Sequence, residues 1–211
     1  MAMQATARGR LVTLEGGEAA GKSTQVRLLG ERLRARGLPA VETREPGGSP
    51  FAERLRDVVL AERPAAPEAE FLVFAAARAD HLSATIRPAL AAGRWVICDR
   101  FIDSTRVYQG DLNGVDLALI RHVEAAVVGA DMPDLTLVLD LPLDEALARM
   151  RSRGGGNRFD AALTETHRRL RDGFLAIAAA EPRRCVVIEA SGGPEEVGDA
   201  IWRAVEARLL T

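Results

Sequence analysis

Gly16-Gly17-Glu18-Ala19-Ala20-Gly21-Lys22-Ser23 fits Gly-x-x-x-x-Gly-Lys-Ser/Thr at every defined position, the pattern of a phosphate-binding P-loop. Glycines let a backbone turn tightly enough to aim successive N–H groups at phosphate oxygens. The helix that follows adds the positive end of its dipole. The flanks supply that context: Arg10 to Glu15 is a short apolar segment of strand length, and Val26, Leu29 and Leu33 share one face of a helix. Lys22 is then expected on the β and γ phosphates of a nucleoside triphosphate and Ser23 on Mg²⁺, with Gly16, Gly17, Glu18, Ala19, Ala20, Gly21 and Thr24 forming the rest of the cradle. Lys22 is also the only lysine among 28 basic residues. A chain that writes every other cation as arginine departs from that habit where a compact ammonium fits the loop better than a planar guanidinium.

Outward from the loop, five apolar runs alternate with longer helical patterns: Leu11 to Leu14, Ala40 to Thr43, Trp95 to Cys98, Thr136 to Leu139 and Cys185 to Ile188. That alternation predicts an α/β fold, a five-stranded parallel sheet with helices on both faces. Helical patterns are expected from about Pro67 to Ala92, from Leu143 to Met150, from Ala161 to Ala180 and from Pro194 to Leu209. Ligands of such sheets bind beyond the carboxyl ends of the strands, and the residues just past each run are polar here: the P-loop, Arg44-Glu45-Pro46-Gly47-Gly48, Asp99-Arg100, Asp140 and Glu189.

Several of these residues carry chemistry beside a bland alternative. Arg44 ends a strand on the side of the phosphate loop, before a Pro-Gly-Gly turn. Phe74 and Arg78 are four apart on one helix face, a flat surface and a planar donor suited to a nucleobase, although Phe74 alone equally fits core packing. Asp99 closes its strand as a Walker B carboxylate does, able to orient water around Mg²⁺, with Arg100 beside it for a phosphate; a surface ion pair is the alternative. Phe101 to Gly110 is rich in donors and acceptors and cannot be placed by periodicity. Arg149, Arg151, Arg153 and Arg158 surround Gly154-Gly155-Gly156, which reads as a mobile lid of about residues 149–160 or as a solvated basic helix end. His81, His122 and His167 form no triad or metal pattern and are expected to be structural or exposed.

With 211 residues, 47% hydrophobic and 27% charged, the chain is expected to fold as one domain, residues 1–211, with a ragged start over 1–9. A net charge of −2 gives no global field for nucleic acid or an anionic membrane. No apolar run reaches transmembrane length and Met1 to Arg10 lacks the apolar centre of a signal peptide, so a cytoplasmic location is expected. Cys98 and Cys185 lie in apolar runs and are expected to be buried thiols.

Together these motifs resemble the thymidylate kinase family of P-loop, nucleoside monophosphate kinase-like enzymes. The resemblance runs over nearly the whole chain from Leu11 and is carried by Glu15 through Thr24, Thr43 to Gly48, Phe74 to Arg78, Asp99-Arg100-Phe101 with Ser104-Thr105, Tyr108-Gln109-Gly110 and the segment from Arg149 to Asp160. It implies transfer of the ATP γ-phosphoryl to dTMP in a homodimeric enzyme. Phe74 would stack on thymine, Arg78 would bond its O4, and Ser104, Thr105 and Gln109 would complete the base pocket. Arg44 and Arg100 would grip the dTMP phosphate, Glu18 would receive the 3′-hydroxyl and Tyr108 would crowd the 2′ position. The P-loop carries no arginine, which resembles the bacterial subtype with its catalytic arginine on the lid; Arg151 and Arg153 are the candidates, then Arg158, with Arg149 also on the nucleotide. Ala19 stands where the family commonly has glycine, Val107 where alanine is usual, both small volume changes, and Asn157 where aspartate often precedes the lid arginine.

Because the acceptor phosphate is already anionic, such a transfer needs positioning and charge neutralisation and no general base, a task for Lys22, Arg100, Mg²⁺ and a lid arginine. The rivals are another P-loop nucleotide kinase and a nucleotide-driven switch. A switch has no use for Phe74, Arg78, Tyr108 and Gln109 grouped about a second phosphate site.

Overall fold

All five apolar runs are strands in the computed structural model of the chain, which describes residues 7–62, 64–152 and 161–210. They are β1 (Leu11–Glu15), β2 (Ala40–Arg44), β3 (Trp95–Asp99), β4 (Leu135–Asp140) and β5 (Cys185–Glu189). Each runs one residue past its apolar stretch and ends on the polar side chain that follows, so Glu15, Arg44, Asp99, Asp140 and Glu189 line up along one edge. Among the described residues the strands form one parallel sheet in the order β2-β3-β1-β4-β5. The register sets Leu14 opposite Asp99, Arg44 also opposite Asp99, and Glu15 opposite Val138.

The helices are α1 (Lys22–Ala35), α2 (Pro50–Ala61), α3 (Pro67–His81), α4 (Arg87–Ala91), α5 (Ile102–Thr105), α6 (Leu117–Val127), α7 (Leu143–Ser152), α8 (Ala161–Ala180) and α9 (Pro194–Leu209). The expected stretch from Pro67 to Ala92 is α3 and α4 joined through a π-helical turn, Leu82–Ile86. Pro88 has no N–H to give residue 84, and the widened turn lies just ahead of it. The segment that periodicity could not place, after Phe101, is α5 running into a second π-helical stretch, Arg106–Leu112. Two helices go beyond the sequence reading, and both start on capping residues: Ser49 Oγ accepts from Ala52 N at 3.3 Å with Pro50 following, and Asp116 Oδ1 accepts from Ala118 N at 2.8 Å.

Strand alternation divides the core in two. Val12 and Leu14 of β1 face α1 and α9, packing with Leu29, Leu33, Ile201 and Val205. Leu11, Val96 and Cys98 face the other way, onto Leu82, Ile86, Leu90, Phe101 and Ile102. A buried polar chain threads between these layers. Thr13 Oγ1 and Thr136 Oγ1 share a hydrogen bond of 2.7 Å, Arg184 Nη1 donates to Thr136 Oγ1 at 2.6 Å, and the same guanidinium holds Asp103 of α5 at 2.7 and 2.9 Å. Asp103 is fully buried and has Arg106 as a second partner at 3.2 Å. The helix after β3 is thereby tied to the turn before β5.

Arg184→Ala leaves Asp103 buried with one partner, and is expected to cost about 3 to 5 kcal/mol in urea-unfolding stability. A loss below about 1 kcal/mol, the range of exposed pairs, would mean that this chain of contacts does not hold α5.

Candidate active site

The P-loop joins β1 to α1 with an uncapped helix start. Gly21 precedes α1 at φ 91°, no side chain caps the helix, and no acidic residue occupies its first turn, which leaves the first N–H groups to an anion. Gly16 sits at φ 135°, and a Cβ there would stand 2.5 Å from Leu139 O, so glycine is obligatory. Ala19 sits at φ 59°. The exchange of glycine for Ala19 is therefore a matter of backbone strain, about 1 to 2 kcal/mol for a left-handed non-glycine residue, more than of volume. Lys22 folds back over the loop, its Nζ donating to Gly16 O at 3.0 Å and Gly17 O at 2.7 Å. Burial, with Arg100 nearby, pushes its pKa down to about 7 against the pull of Asp99, Glu15 and Glu18.

Two carboxylates organise the neighbouring loop. Ser23 Oγ donates to Asp99 Oδ2 at 2.6 Å, so the two expected metal-binding oxygens are side by side. Hard oxygen donors at the mouth of a phosphate cradle are what Mg²⁺ takes, so these residues fit that ion. Glu15, fully buried, accepts from Phe101 N at 2.7 Å and from Ser104 Oγ at 2.6 Å. Arg100 between them adopts φ 69°, its N–H bound to Leu14 O at 3.0 Å. Its guanidinium reaches Ser104 Oγ at 3.2 Å and Gly16 O at 3.4 Å, and lies 5.0 Å from the centre of the Tyr108 ring.

Beyond Arg100 opens a cavity of ≈ 580 Å³. Of the expected substrate residues it is lined by Glu18, Phe74, Arg100, Ser104, Thr105, Tyr108 and Gln109. Phe74 is half-buried, a cavity wall rather than core. Arg78 is held behind the wall, its Nε donating to Glu45 Oε2 at 2.6 Å and its Nη2 to Thr105 Oγ1 at 2.8 Å and Phe101 O at 3.1 Å. Arg44 is not brought to this cavity. It lies in a neighbouring groove with Ser23 and Asp99 and pairs with Glu53 at 3.0 Å. Among the lid candidates, Arg149 Nη2 donates to Ala190 O at 3.0 Å and Ser191 O at 3.3 Å and Arg151 is exposed near the end of α7, while Thr24 of the expected cradle is exposed in α1. Arg153, Arg158 and Asn157 lie outside the described residues.

The thymidylate kinase family matches residues 14–201. A thymidylate kinase of Rhodopseudomonas palustris is 52% identical over 209 residues, 96% of this chain and 91% of that protein, and one of Nitrobacter winogradskyi is 49% identical over 97% of this chain and 91% of that protein. The chain belongs to the thymidylate kinase family. A crystal structure of thymidylate kinase from Ehrlichia chaffeensis superposes with a TM-score of 0.78 at 32% identity, covering 94% of this chain and 99% of that one, in keeping with the α/β P-loop fold.

Three residues near the thymidylate kinase motifs had no role in the sequence reading. Glu15 was visible only as the last residue of an apolar run. Glu45 lay in a segment readable as a turn, and is instead buried between Arg78 and His81, whose Nδ1 is 3.0 Å from it. Glu70 stood in the first turns of a helix and lines the cavity. The histidines are as expected: His81 and His167 are buried and His122 is exposed. Cys98 and Cys185 are buried thiols, and burial raises the pKa of both.

Burial, reinforced by Asp103, raises the Glu15 pKa from 4.5 to about 7. The folded chain then binds this proton more tightly than the unfolded one, and stability is lost as pH rises from about 4.5 through 7. Glu15→Gln is expected to lose less Tm than the parent between pH 5 and 7 in a thermal melt. Parallel curves would mean that Glu15 is ionised throughout.

Proposed function

We propose that the chain transfers the γ-phosphoryl of ATP to dTMP, giving dTDP and ADP for dTTP synthesis. The observation that carries this reading is Arg100, whose guanidinium touches both Gly16 of the P-loop and Ser104 of the second cavity. A residue spanning a triphosphate cradle and an acceptor cavity stands where two phosphates would meet in line.

Lys22 and the first N–H groups of α1 would hold the β and γ phosphates. Ser23 and Asp99 would hold Mg²⁺, which when bound neutralises phosphate charge. Arg100 would hold the acceptor phosphate, with Arg44 entering from its groove only if the Glu53 contact opens. Phe74 would stack on the base, Arg78 would donate to it through Nη1, the atom left without a partner among the described residues, and Tyr108 and Glu18 would close on the sugar. Arg151 and Arg153 would bring the remaining positive charge from the lid, with Arg149 and Arg158 on the donor nucleotide. A homodimer is part of the proposal, supported by exposed Phe51, Leu72, Leu117 and Leu119 on α2, α3 and α6; a single-chain mass in sedimentation equilibrium would remove it. A cytoplasmic setting accords with the described helices, none of which is long and apolar enough to cross a membrane.

ADP release from Mg-ATP, with dTMP, dUMP, AMP, CMP and GMP offered separately, tests the reaction. Turnover on dTMP is expected to exceed that on dUMP by about 1 to 3 kcal/mol in kcat/KM, the worth of one methyl group. Equal rates on both would remove the base-pocket assignment, and equal ADP release without acceptor would point to a hydrolytic switch. In the same assay Arg151→Ala or Arg153→Ala is expected to lower kcat far more than dTMP affinity, toward the roughly 10³ to 10⁵ that an arginine at the transferring group supplies. Unchanged kcat in both would remove the lid assignment.

A further inference from the structure

Glu70 lies in α3 one turn before Phe74 and takes no part in the roles assigned above. Its Oε1 accepts from Gln109 Nε2 at 2.8 Å and from Asn113 Nδ2 at 3.2 Å. A carboxylate only accepts hydrogen bonds, whereas a carboxamide has one donating and one accepting end. The Gln109 amide therefore cannot turn round: its NH₂ must face Glu70, and its carbonyl Oε1 is the end left over. Glu70, Gln109, Asn113 and Phe74 all line the acceptor cavity, Gln109 is buried, and its Oε1 meets no partner among the described residues. Arg78, bonded to Thr105 of the same wall, is of opposite character, since a guanidinium only donates.

We propose that Glu70 sets the hydrogen-bond polarity of the base subsite by fixing Gln109 as an acceptor. An acceptor beside a donor matches a pyrimidine that carries N3–H next to a C4 carbonyl. It mismatches the 4-amino counterpart at both atoms, because there N3 accepts and the exocyclic group donates. A site whose buried polar groups are left unpaired rejects a ligand far more strongly than one that merely lacks a methyl contact. Glu70 acts through Gln109, so it is a positioning residue for specificity. The inference rests on the base-cavity reading of the preceding section.

The probe is 5-methyl-dCMP, which keeps the methyl group of dTMP and reverses the polarity of N3 and C4. Glu70→Gln keeps the shape of the side chain but offers an NH₂ of its own, so the Gln109 amide is free to turn. The ratio of kcat/KM for dTMP over 5-methyl-dCMP, or of inhibition constants where turnover is undetectable, is expected to fall at least tenfold. A ratio within twofold of the parent overturns the proposal. Should Glu70→Gln fold poorly, the exchanged pair Glu70→Gln with Gln109→Glu carries the test. It restores one donor facing one acceptor and keeps an accepting oxygen on the cavity, so its ratio should exceed that of Gln109→Glu alone; no recovery overturns the proposal. Phe74→Ala and Gln109→Ala separate the two readings. If both leave the KM for dTMP unchanged, the base cavity and the role of Glu70 fall together. If both raise it while Glu70→Gln leaves the ratio untouched, only the role of Glu70 falls.

Discussion

The parallel register that sets Leu14 opposite Asp99 is the constraint on which the site depends. Strand side chains alternate between faces, so a slip of one residue would turn Glu15 and Asp99 to the wrong sides and bring their apolar neighbours into the cleft. In the observed register Arg100 N meets Leu14 O, and the Glu15 carboxylate, at the last position of β1, reaches Phe101 N and Ser104 Oγ. The P-loop and the Asp99-Arg100 turn leave adjacent strands at the same level. Neither could be moved along its strand without uncoupling the P-loop from the cavity beside Arg100.

Within that frame the buried and half-buried cations fall into two kinds. Arg78 has Glu45 at 2.6 Å, Arg184 has Asp103 at 2.7 Å and Arg106 has Glu124 at 2.6 Å, each a charge matched by hydrogen bonds. Lys22 has two carbonyls, and Arg100 a hydroxyl, a carbonyl and an aromatic ring. A buried cation with dipoles around it and no carboxylate in bonding contact is poorly compensated, which is why the Lys22 pKa is driven down to about 7. Burial opposes the charge of Arg100, but Tyr108, Glu15 and Asp99 outweigh it and raise its pKa, so the poorly compensated charge is that of Lys22, in the P-loop. On the proposed reading, anionic phosphates bound at the P-loop would supply the missing charge, and the matched pairs need none.

How much of this was legible in the sequence follows from the range of each interaction. The strands and the P-loop were readable because both are written in contiguous residues: an apolar run is its own signal, and the loop motif encodes its backbone conformation. Of the candidate base cavity, the Phe74–Arg78 pair was readable from its four-residue spacing on one helix, whereas Ser104, Thr105 and Gln109 were assigned only through resemblance, since they come from a separate element. Glu15, Glu45 and Glu70 could not be assigned at all. Their partners are 86, 33 and 39 positions away, and nothing local distinguishes a carboxylate that clamps a loop from one that is solvated. The helices α2 and α6 were missed for a different reason, because their start signals, Ser49-Pro50 and Asp116, precede stretches with little buried surface; only Ala52 of α2 and Ile120 of α6 are fully buried. Arg44 lies on the side of the phosphate loop, in a groove with Ser23 and Asp99, as its strand-end position implied, but that position gives the direction of the backbone and not the rotamer that takes the guanidinium to Glu53.

The backbone of Arg100 ties these observations into one mechanical statement. A non-glycine residue at φ 69° costs of order 1 to 3 kcal/mol and persists only where its surroundings over-determine it. Here its own N–H is held by Leu14, the next N–H by Glu15, and its side chain by Ser104, which Glu15 holds in turn. Relaxing Arg100 to an ordinary conformation would swing the guanidinium away from Gly16 and break all of these contacts together. The Arg100 turn is therefore fixed by the fold itself. On the proposed lid reading the charge still to be supplied would come from the other side, from Arg151, exposed near the end of α7 and without such a clamp among the described residues. Under that reading a preorganised Arg100 would face a donor-side arginine that arrives later, which would make closure, and not alignment of the acceptor, the step that brings both nucleotides together.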